Sequence, residues 1–87
     1  MEACPVDVIS VCSASGEIRP LRMRIRDENQ EMTRIDIDEI LSVKQIPYVG
    51  VEAQIFLCRA RVFSITQMFE LKYTFRTHSW QLYQRRF

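Results

Sequence analysis

Apolar and polar residues alternate strictly over three stretches of the chain. In 21–26, three apolar residues alternate with three arginines, and similar alternation runs over 69–76 and 80–83. Successive side chains of a β-strand point to opposite faces, so a period of two indicates strands with one buried face. A helix would instead spread the arginines of 21–26 around its circumference. We therefore predict strands over all three stretches.

A polar turn at 27–31 connects the arginine strand to a second alternating stretch at 33–37. Antiparallel pairing of the two stretches would place Arg22 and Arg24 opposite aspartates, and opposite-charge pairs of this kind contribute about 0.2–1 kcal/mol each. Most arginines of the first stretch would then have a partner within the chain. Arg26 and Arg34 would then face each other without a carboxylate, and we predict them as anion contacts. The expected cross-strand pairs are Arg26–Arg34, Ile25–Ile35, Arg24–Asp36, Met23–Ile37 and Arg22–Asp38.

The alternation is interrupted at 38–41. We expect either a bulge there or one short helical turn near 38–44, capped by Asp38. Pro47 and Gly50 bound a short segment that is expected to reverse the chain.

The segment 51–63 fits both a helical stripe and a strand. We favour a strand, because it then pairs antiparallel with 69–76 across a turn at 64–67. The expected pairs are Val62–Phe69, Arg61–Glu70, Ala60–Leu71, Cys58–Tyr73 and Phe56–Phe75, and a final turn at Thr77 and His78 places Phe75 opposite Trp80 and Tyr73 opposite Leu82.

The remaining strand is predicted over Pro5–Cys12, before a turn at Ser13–Glu17. The fold class is thus mostly β, with about six antiparallel strands in meander order. A sheet of this size with one apolar face covers its edges by rolling into a small barrel or half-barrel. A chain of 87 residues holds one core, so we expect a single β domain over 1–87 with an ordered core of about 5–86.

Four short motifs lie along the chain: I-x-P-x-R-x-R, a single mid-chain Cys, E-L-K-Y and W-x-L. They correspond to Ile18, Pro20, Arg22 and Arg24; to Cys58; to Glu70, Leu71, Lys72 and Tyr73; and to Trp80 and Leu82. Together they resemble a family of small uncharacterised proteins from Firmicutes-type bacteria, over roughly residues 18–83. The resemblance implies a β-rich domain of unknown function and brings no activity or site. Such relatives tend to have a glycine in the turn before E-L-K-Y, where this chain has Ser64–Gln67.

Charge is distributed unevenly along the chain. Residues 1–53 hold ten acids and six bases, whereas 54–87 hold one acid and six bases. The acidic and basic side chains of the two parts either form ion pairs with each other or leave one basic face for a partner. No run of 18 apolar residues exists, and the first ten residues lack a basic start followed by an apolar stretch, so we expect neither membrane insertion nor secretion.

The three cysteines are odd in number and widely spaced, and the chain has one histidine. This set does not suit a zinc site, so free thiols in a reducing cytoplasm are expected. Asp36, Asp38 and Glu39 form the only carboxylate cluster on a predicted element, but arginines lie opposite and no phosphate loop accompanies them. His78 lies in a turn without a nucleophile nearby. We therefore expect no enzyme, no catalytic residue, no metal and no cofactor.

The C-terminal part interleaves basic and aromatic residues, as proteins that bind single-stranded nucleic acids do. In the predicted register most of these aromatic rings share the apolar face, which leaves mainly Tyr83 and Phe87 for stacking. The predicted anion or nucleic-acid contacts of the whole chain are Arg26, Arg34, Lys72, Arg76, Tyr83, Arg85 and Arg86.

The pattern favours a small intracellular, non-enzymatic interaction module. Its expected partner is another protein, or a second copy of the chain joined through a strand edge. The alternative is a small barrel that binds single-stranded nucleic acid with low specificity through its basic C-terminal hairpin.

Overall fold

The computed structural model describes residues 3–26 and 29–84, and these contain eight antiparallel β-strands and no helix. In chain order the strands are β1 (Ala3–Pro5), β2 (Asp7–Cys12), β3 (Ile18–Arg26), β4 (Met32–Asp36), β5 (Glu39–Ile46), β6 (Ala53–Val62), β7 (Ile65–Thr74) and β8 (Ser79–Gln84). In the described part of the chain there is no helix long and apolar enough to span a bilayer.

The strands form two sheets rather than a closed barrel in the described residues. One sheet has five strands in the order β1-β8-β7-β6-β5, and the other has three in the order β2-β3-β4. The chain passes between them at Val6, whose N–H donates to the Trp80 carbonyl at 3.3 Å. It passes back at Ile37 and Asp38, which donate to the carbonyls of Leu21 in one sheet and Arg59 in the other.

The core lies between the inner faces of the two sheets. The five-stranded sheet contributes most of it, and its centre is a group of aromatic rings. Trp80 lies with its ring centroid 5.6 Å from Phe56 and 4.9 Å from Tyr73. The three-stranded sheet contributes Met23 and Ile35, which are 3% and 4% exposed. These two residues join the small sheet to the common core.

The mostly β, antiparallel fold class is confirmed. In the described residues, eight strands replace the predicted six and no closed barrel forms. The single meander is wrong, because β2–β4 and β5–β8 each follow in chain order but lie in different sheets, and β1 pairs with β8. The predicted first strand divides at Val6, and its two parts join different sheets. The predicted helical turn near 38–44 is also absent, because β5 is extended from Glu39 and the alternation is interrupted by a bulge at Leu41. The bulge was the other alternative that the pattern left open.

The predicted register of the first hairpin is wrong by two residues. Arg22 lies opposite Asp36, Met23 opposite Ile35 and Arg24 opposite Arg34, whereas Arg26 lies opposite Met32. β3 ends at Arg26 and β4 begins at Met32, so the connection spans 27–31 as predicted and only the pairing differs. A shift of two leaves every side chain on its predicted face, because side chains alternate with that period.

The predicted strand over 51–63 is confirmed by β6, but the turn at 64–67 is wrong. The chain reverses at Phe63 and Ser64, and β7 already begins at Ile65. Both turn residues have positive φ, at 51° and 67°, as in the two-residue turns whose twist matches that of the flanking strands. Cys58 therefore lies opposite Phe69 rather than Tyr73.

The last hairpin is also displaced by two residues from its predicted register. Tyr73 lies opposite Trp80 and Leu71 opposite Leu82, so a four-residue connection replaces the predicted tight turn. Phe75 falls in this connection and is 39% exposed. The predicted reversal between Pro47 and Gly50 is confirmed by the hydrogen bond from Val51 N–H to the Tyr48 carbonyl at 3.0 Å.

Candidate interaction surface

The outer face of the three-stranded sheet carries most of the arginines of the N-terminal half, and we call it the arginine face. Alternation along β3 places three arginines there, and the bulge at Leu21 returns Arg19 to the same face, opposite Val11. The described residues of this face include five arginines and two aspartates, an excess of three positive charges. It consists of Asp7, Ile9 and Val11 on β2, Arg19, Arg22, Arg24 and Arg26 on β3, and Met32, Arg34 and Asp36 on β4.

Two of these arginines are neutralised by short ion pairs across strands. Arg22 Nε donates to Asp36 Oδ1 at 2.6 Å, and an Arg24 guanidinium N–H donates to Asp7 Oδ2 at the same distance. Exposed pairs of this kind contribute only about 0.2–1 kcal/mol each. They fix the positions of these two guanidinium groups, whereas Arg19, Arg26 and Arg34 are the exposed arginines that remain.

Arg34 is the one arginine on β4, and it shares the Asp36 carboxylate with Arg22. It lies directly opposite Arg24. Ile37 N–H donates to the Leu21 carbonyl, so the main-chain groups of the odd-numbered residues of β4 hydrogen bond with β3. Arg34 is even-numbered, so the Arg24–Arg34 pair is one of the closely spaced pairs without main-chain hydrogen bonds between them. Like charges facing each other in this way are destabilising. The Arg34 side chain is 65% exposed, and its Nε lies 3.8 Å from Asp36 Oδ1, which Arg22 already contacts.

Arg26 lies at the end of the same face. Its guanidinium donates to the Gln30 carbonyl at 2.9 Å and it lies opposite Met32, which is 42% exposed. The structure thus places the two predicted contacts Arg26 and Arg34 on one face, although they are not directly opposite. A shallow depression of about 330 Å³ is lined by Asp7, Val8, Ile9, Arg22, Met23, Arg24 and Arg34.

The other predicted contacts lie elsewhere. Lys72 and Tyr83 project from the outer face of the five-stranded sheet, where Tyr83 lies opposite Glu70. Arg76 belongs to the connection after β7, and its guanidinium approaches Gly50. Arg85 and Arg86 lie outside the described residues. The five described residues of the predicted set therefore do not form one surface.

Most of the aromatic rings of the C-terminal half are in the core. Tyr73 and Trp80 are buried, as predicted, and the Tyr73 hydroxyl is 2.8 Å from His78 Nδ1. Phe75 was expected in the core but is partly exposed and packs edge-on against Tyr73. The rings available for stacking on a base are accordingly few in this part of the chain.

Two of the three carboxylates of the predicted cluster have cationic neighbours. Asp36 accepts from Arg22, and Glu39 forms an ion pair with Arg59 on β6. Within the described ranges, no group of His, Cys, Asp and Glu side chains is arranged to hold a metal ion. Among the titratable groups of the described residues, burial raises the pKa of the Cys58 thiol to about 12.

Two charged residues of the arginine face, Arg19 and Asp7, were not predicted from the sequence. Arg19 precedes the alternating stretch and reaches this face only through the bulge, which the sequence did not indicate. Asp7 is the partner of Arg24 because β2 pairs with β3. An acidic residue at the start of a predicted strand was the available signal, but it could not be used without the strand order.

In comparisons with known proteins, no family model, curated protein sequence or solved structure matches this chain. The resemblance to the small bacterial family therefore stays a prediction from short motifs.

Proposed function

We propose that this protein is a small, non-enzymatic interaction module that binds an acidic segment of a protein partner through the arginine face. The observation that supports this proposal is the excess of three positive charges on one face of a three-stranded sheet. The planar guanidinium group suits two-point contact with carboxylates. Ile9 and Met32 are exposed beside the arginines and would contact the apolar side chains of such a partner.

The lack of aromatic rings on the arginine face favours an acidic protein over a nucleic acid. Single-stranded nucleic acids are bound by cations together with stacked aromatic rings. The apolar members of this face are aliphatic, and Asp7 and Asp36 would repel phosphates. A reducing cytosol as the site of action belongs to the same proposal, and the free, exposed thiols of Cys4 and Cys12 are consistent with it.

A binding assay with a defined polyanion tests this proposal. Poly-L-glutamate should bind the protein at about 50 mM salt and dissociate as the salt concentration rises, since the contacts are exposed ion pairs. The variant Arg26→Gln/Arg34→Gln should weaken binding by up to about thirtyfold, because each of the two lost contacts contributes up to about 1 kcal/mol. Both substitutions leave the Arg22–Asp36 and Arg24–Asp7 pairs intact.

The matched control removes two positive charges from elsewhere in the molecule. Lys72→Gln/Arg76→Gln has the same net charge as the test variant but an unchanged arginine face. It should bind poly-L-glutamate nearly as well as the unmodified protein. Equal weakening in both variants, or no binding at low salt, would contradict the proposal.

The same two variants test the alternative function, binding of single-stranded nucleic acid by the C-terminal hairpin. In favour of it, Arg76 follows the partly exposed ring of Phe75, and Lys72 and Tyr83 share one sheet face. An electrophoretic shift with single-stranded DNA that is lost in Lys72→Gln/Arg76→Gln, but kept in Arg26→Gln/Arg34→Gln, would favour nucleic-acid binding. The reverse result would assign even that binding to the arginine face.

A further inference from the structure

Four strands form the edges of the two sheets, and β2 is the one least protected against pairing with another strand. β1 has three residues and ends in Pro5. β5 carries Glu39 and Lys44 and contains a bulge, and β4 carries two charged residues and leads directly into the other sheet at Asp38. Short length, proline, charges and bulges all oppose pairing of exposed edges. β2 instead has five successive uncharged residues, Val8–Cys12.

The exposed edge of β2 presents a regular set of main-chain groups. Ser13 N–H donates to the Glu17 carbonyl at 2.8 Å, so the main-chain N–H and C=O groups of the odd-numbered residues of this strand point toward β3. The bulge between β2 and β3 does not change this, because the extra residue, Leu21, lies on β3. The N–H and C=O groups of Val8, Ser10 and Cys12 therefore point away from the sheet, and no other described strand pairs with them.

We propose that a second copy of this chain pairs antiparallel along β2, about a two-fold axis at Ser10. This register places Ser10 opposite Ser10 of the partner subunit and Val8 opposite Cys12 of the partner subunit. All three outward-pointing residues then exchange main-chain hydrogen bonds, two for each pair. Registers shifted by one position leave at least one of them unpaired.

The side chains on the outer face are also complementary in this register. Ile9 and Val11 are 57% and 40% exposed. Across the two-fold axis, Ile9 lies opposite Val11 of the partner subunit, and Val11 lies opposite Ile9 of the partner subunit. They form close, non-hydrogen-bonded pairs of β-branched residues, which favour strand association. Asp7 lies opposite Ser13 of the partner subunit, so the register brings no like charges together.

The paired molecules form a six-stranded sheet in which both arginine faces point the same way. The two-fold axis is perpendicular to the sheet, which keeps equivalent faces on one side. Arg19 is then separated from Arg22 of the partner subunit by three strand spacings, about 14 Å. The dimer presents twice the cationic surface to one acidic partner. Pairing along β2 does not require an anion, so its failure would leave the arginine-face proposal standing.

Sedimentation velocity between about 1 and about 200 µM tests the pairing and its register. The unmodified protein should shift from monomer to dimer with rising concentration. Ile9→Glu alone and Val11→Lys alone should each abolish the shift, because each places one charge against an aliphatic side chain. The combination Ile9→Glu/Val11→Lys should restore it, because this register places the introduced opposite charges face to face.

Val43→Glu is the matched control, since it introduces the same charge at a similarly exposed aliphatic residue, 48% exposed, on the β5 edge. It should leave the dimer intact, and circular dichroism should show that all variants are folded. Monomer at every concentration, loss of the dimer in Val43→Glu but not in Ile9→Glu, or no recovery in the combined variant would overturn the inference.

Discussion

The buried thiol of Cys58 and the exposed thiols of Cys4 and Cys12 should differ sharply in reactivity. Only the thiolate reacts with alkylating reagents, and burial raises the pKa of Cys58 to about 12 from an ordinary value of 9.0. We expect iodoacetamide at about pH 8 to add two labels to the native protein, and a third only in denaturant. Mass spectrometry of dilute protein measures this, and Cys4→Ser/Cys12→Ser is the control that should remain unlabelled until it unfolds. Three labels on the native protein would contradict it.

Among the charged residues, the sequence predicted the face correctly but not the partners. A strand that carries arginine at every second position places these arginines on one face. Arg34 on the next strand lies on the same face in the predicted register, and a shift of the register by two residues does not change that. Which carboxylate neutralises which arginine depends on the strand order. Arg24 was expected to pair with Asp36 but instead contacts Asp7, from a strand whose neighbour the sequence did not reveal.

At the scale of elements, the turn at Phe63 and Ser64 is held in a backbone conformation that neither residue favours. Positive φ costs ordinary residues roughly 1–2 kcal/mol each, whereas Asn and Gly adopt it readily. Phe63 is 78% exposed, so replacing its side chain removes little packing. Phe63→Asn/Ser64→Gly should therefore raise stability by about 1 kcal/mol and the Tm by about 4–8 °C, measured by thermal unfolding.

A glycine placed two residues later is the control for this turn. Thr66→Gly lies in the extended part of β7, where added backbone freedom should lower stability by about 0.5–1 kcal/mol. A lower Tm in Phe63→Asn/Ser64→Gly would show that the turn is not a strained two-residue connection.

Strand existence followed from the sequence, whereas strand pairing did not. The hairpins at 26–32, 62–65 and 74–79 were each displaced from the predicted register by two or four residues. Such shifts keep the apolar residues on the buried face, so the hydrophobic pattern cannot distinguish between them. Turn chemistry normally decides the register, and glycine-free turns gave no sign of where the chain reverses.

For the whole molecule, Met23 and Ile35 should make the two sheets unfold together. Ile35→Ala in the small sheet should lower stability by about 2–4 kcal/mol, because it leaves a cavity in a shared core. Trp80 lies in the other sheet, so its fluorescence and the far-UV circular dichroism should shift to the same lower Tm. The exposed control Val43→Ala should change stability by less than about 0.5 kcal/mol. An unshifted Trp80 transition in Ile35→Ala would show that the sheets unfold independently.

Pairing of the first strand with the last affects how the fold can be reached during synthesis. Ala3 lies opposite Tyr83, and the core residues Trp80 and Leu82 lie on the same late strand. Folding rates fall as contacting residues lie farther apart in sequence, because loop closure costs entropy before the contact stabilises the chain. A ribosome-bound chain that lacks residues 79–84 would expose the edge of β7 and the sides of Phe56 and Tyr73 that Trp80 covers. The five-stranded sheet is therefore completed only after β8 has left the ribosome, and until then the open edge of β7 is a site at which nascent chains can aggregate.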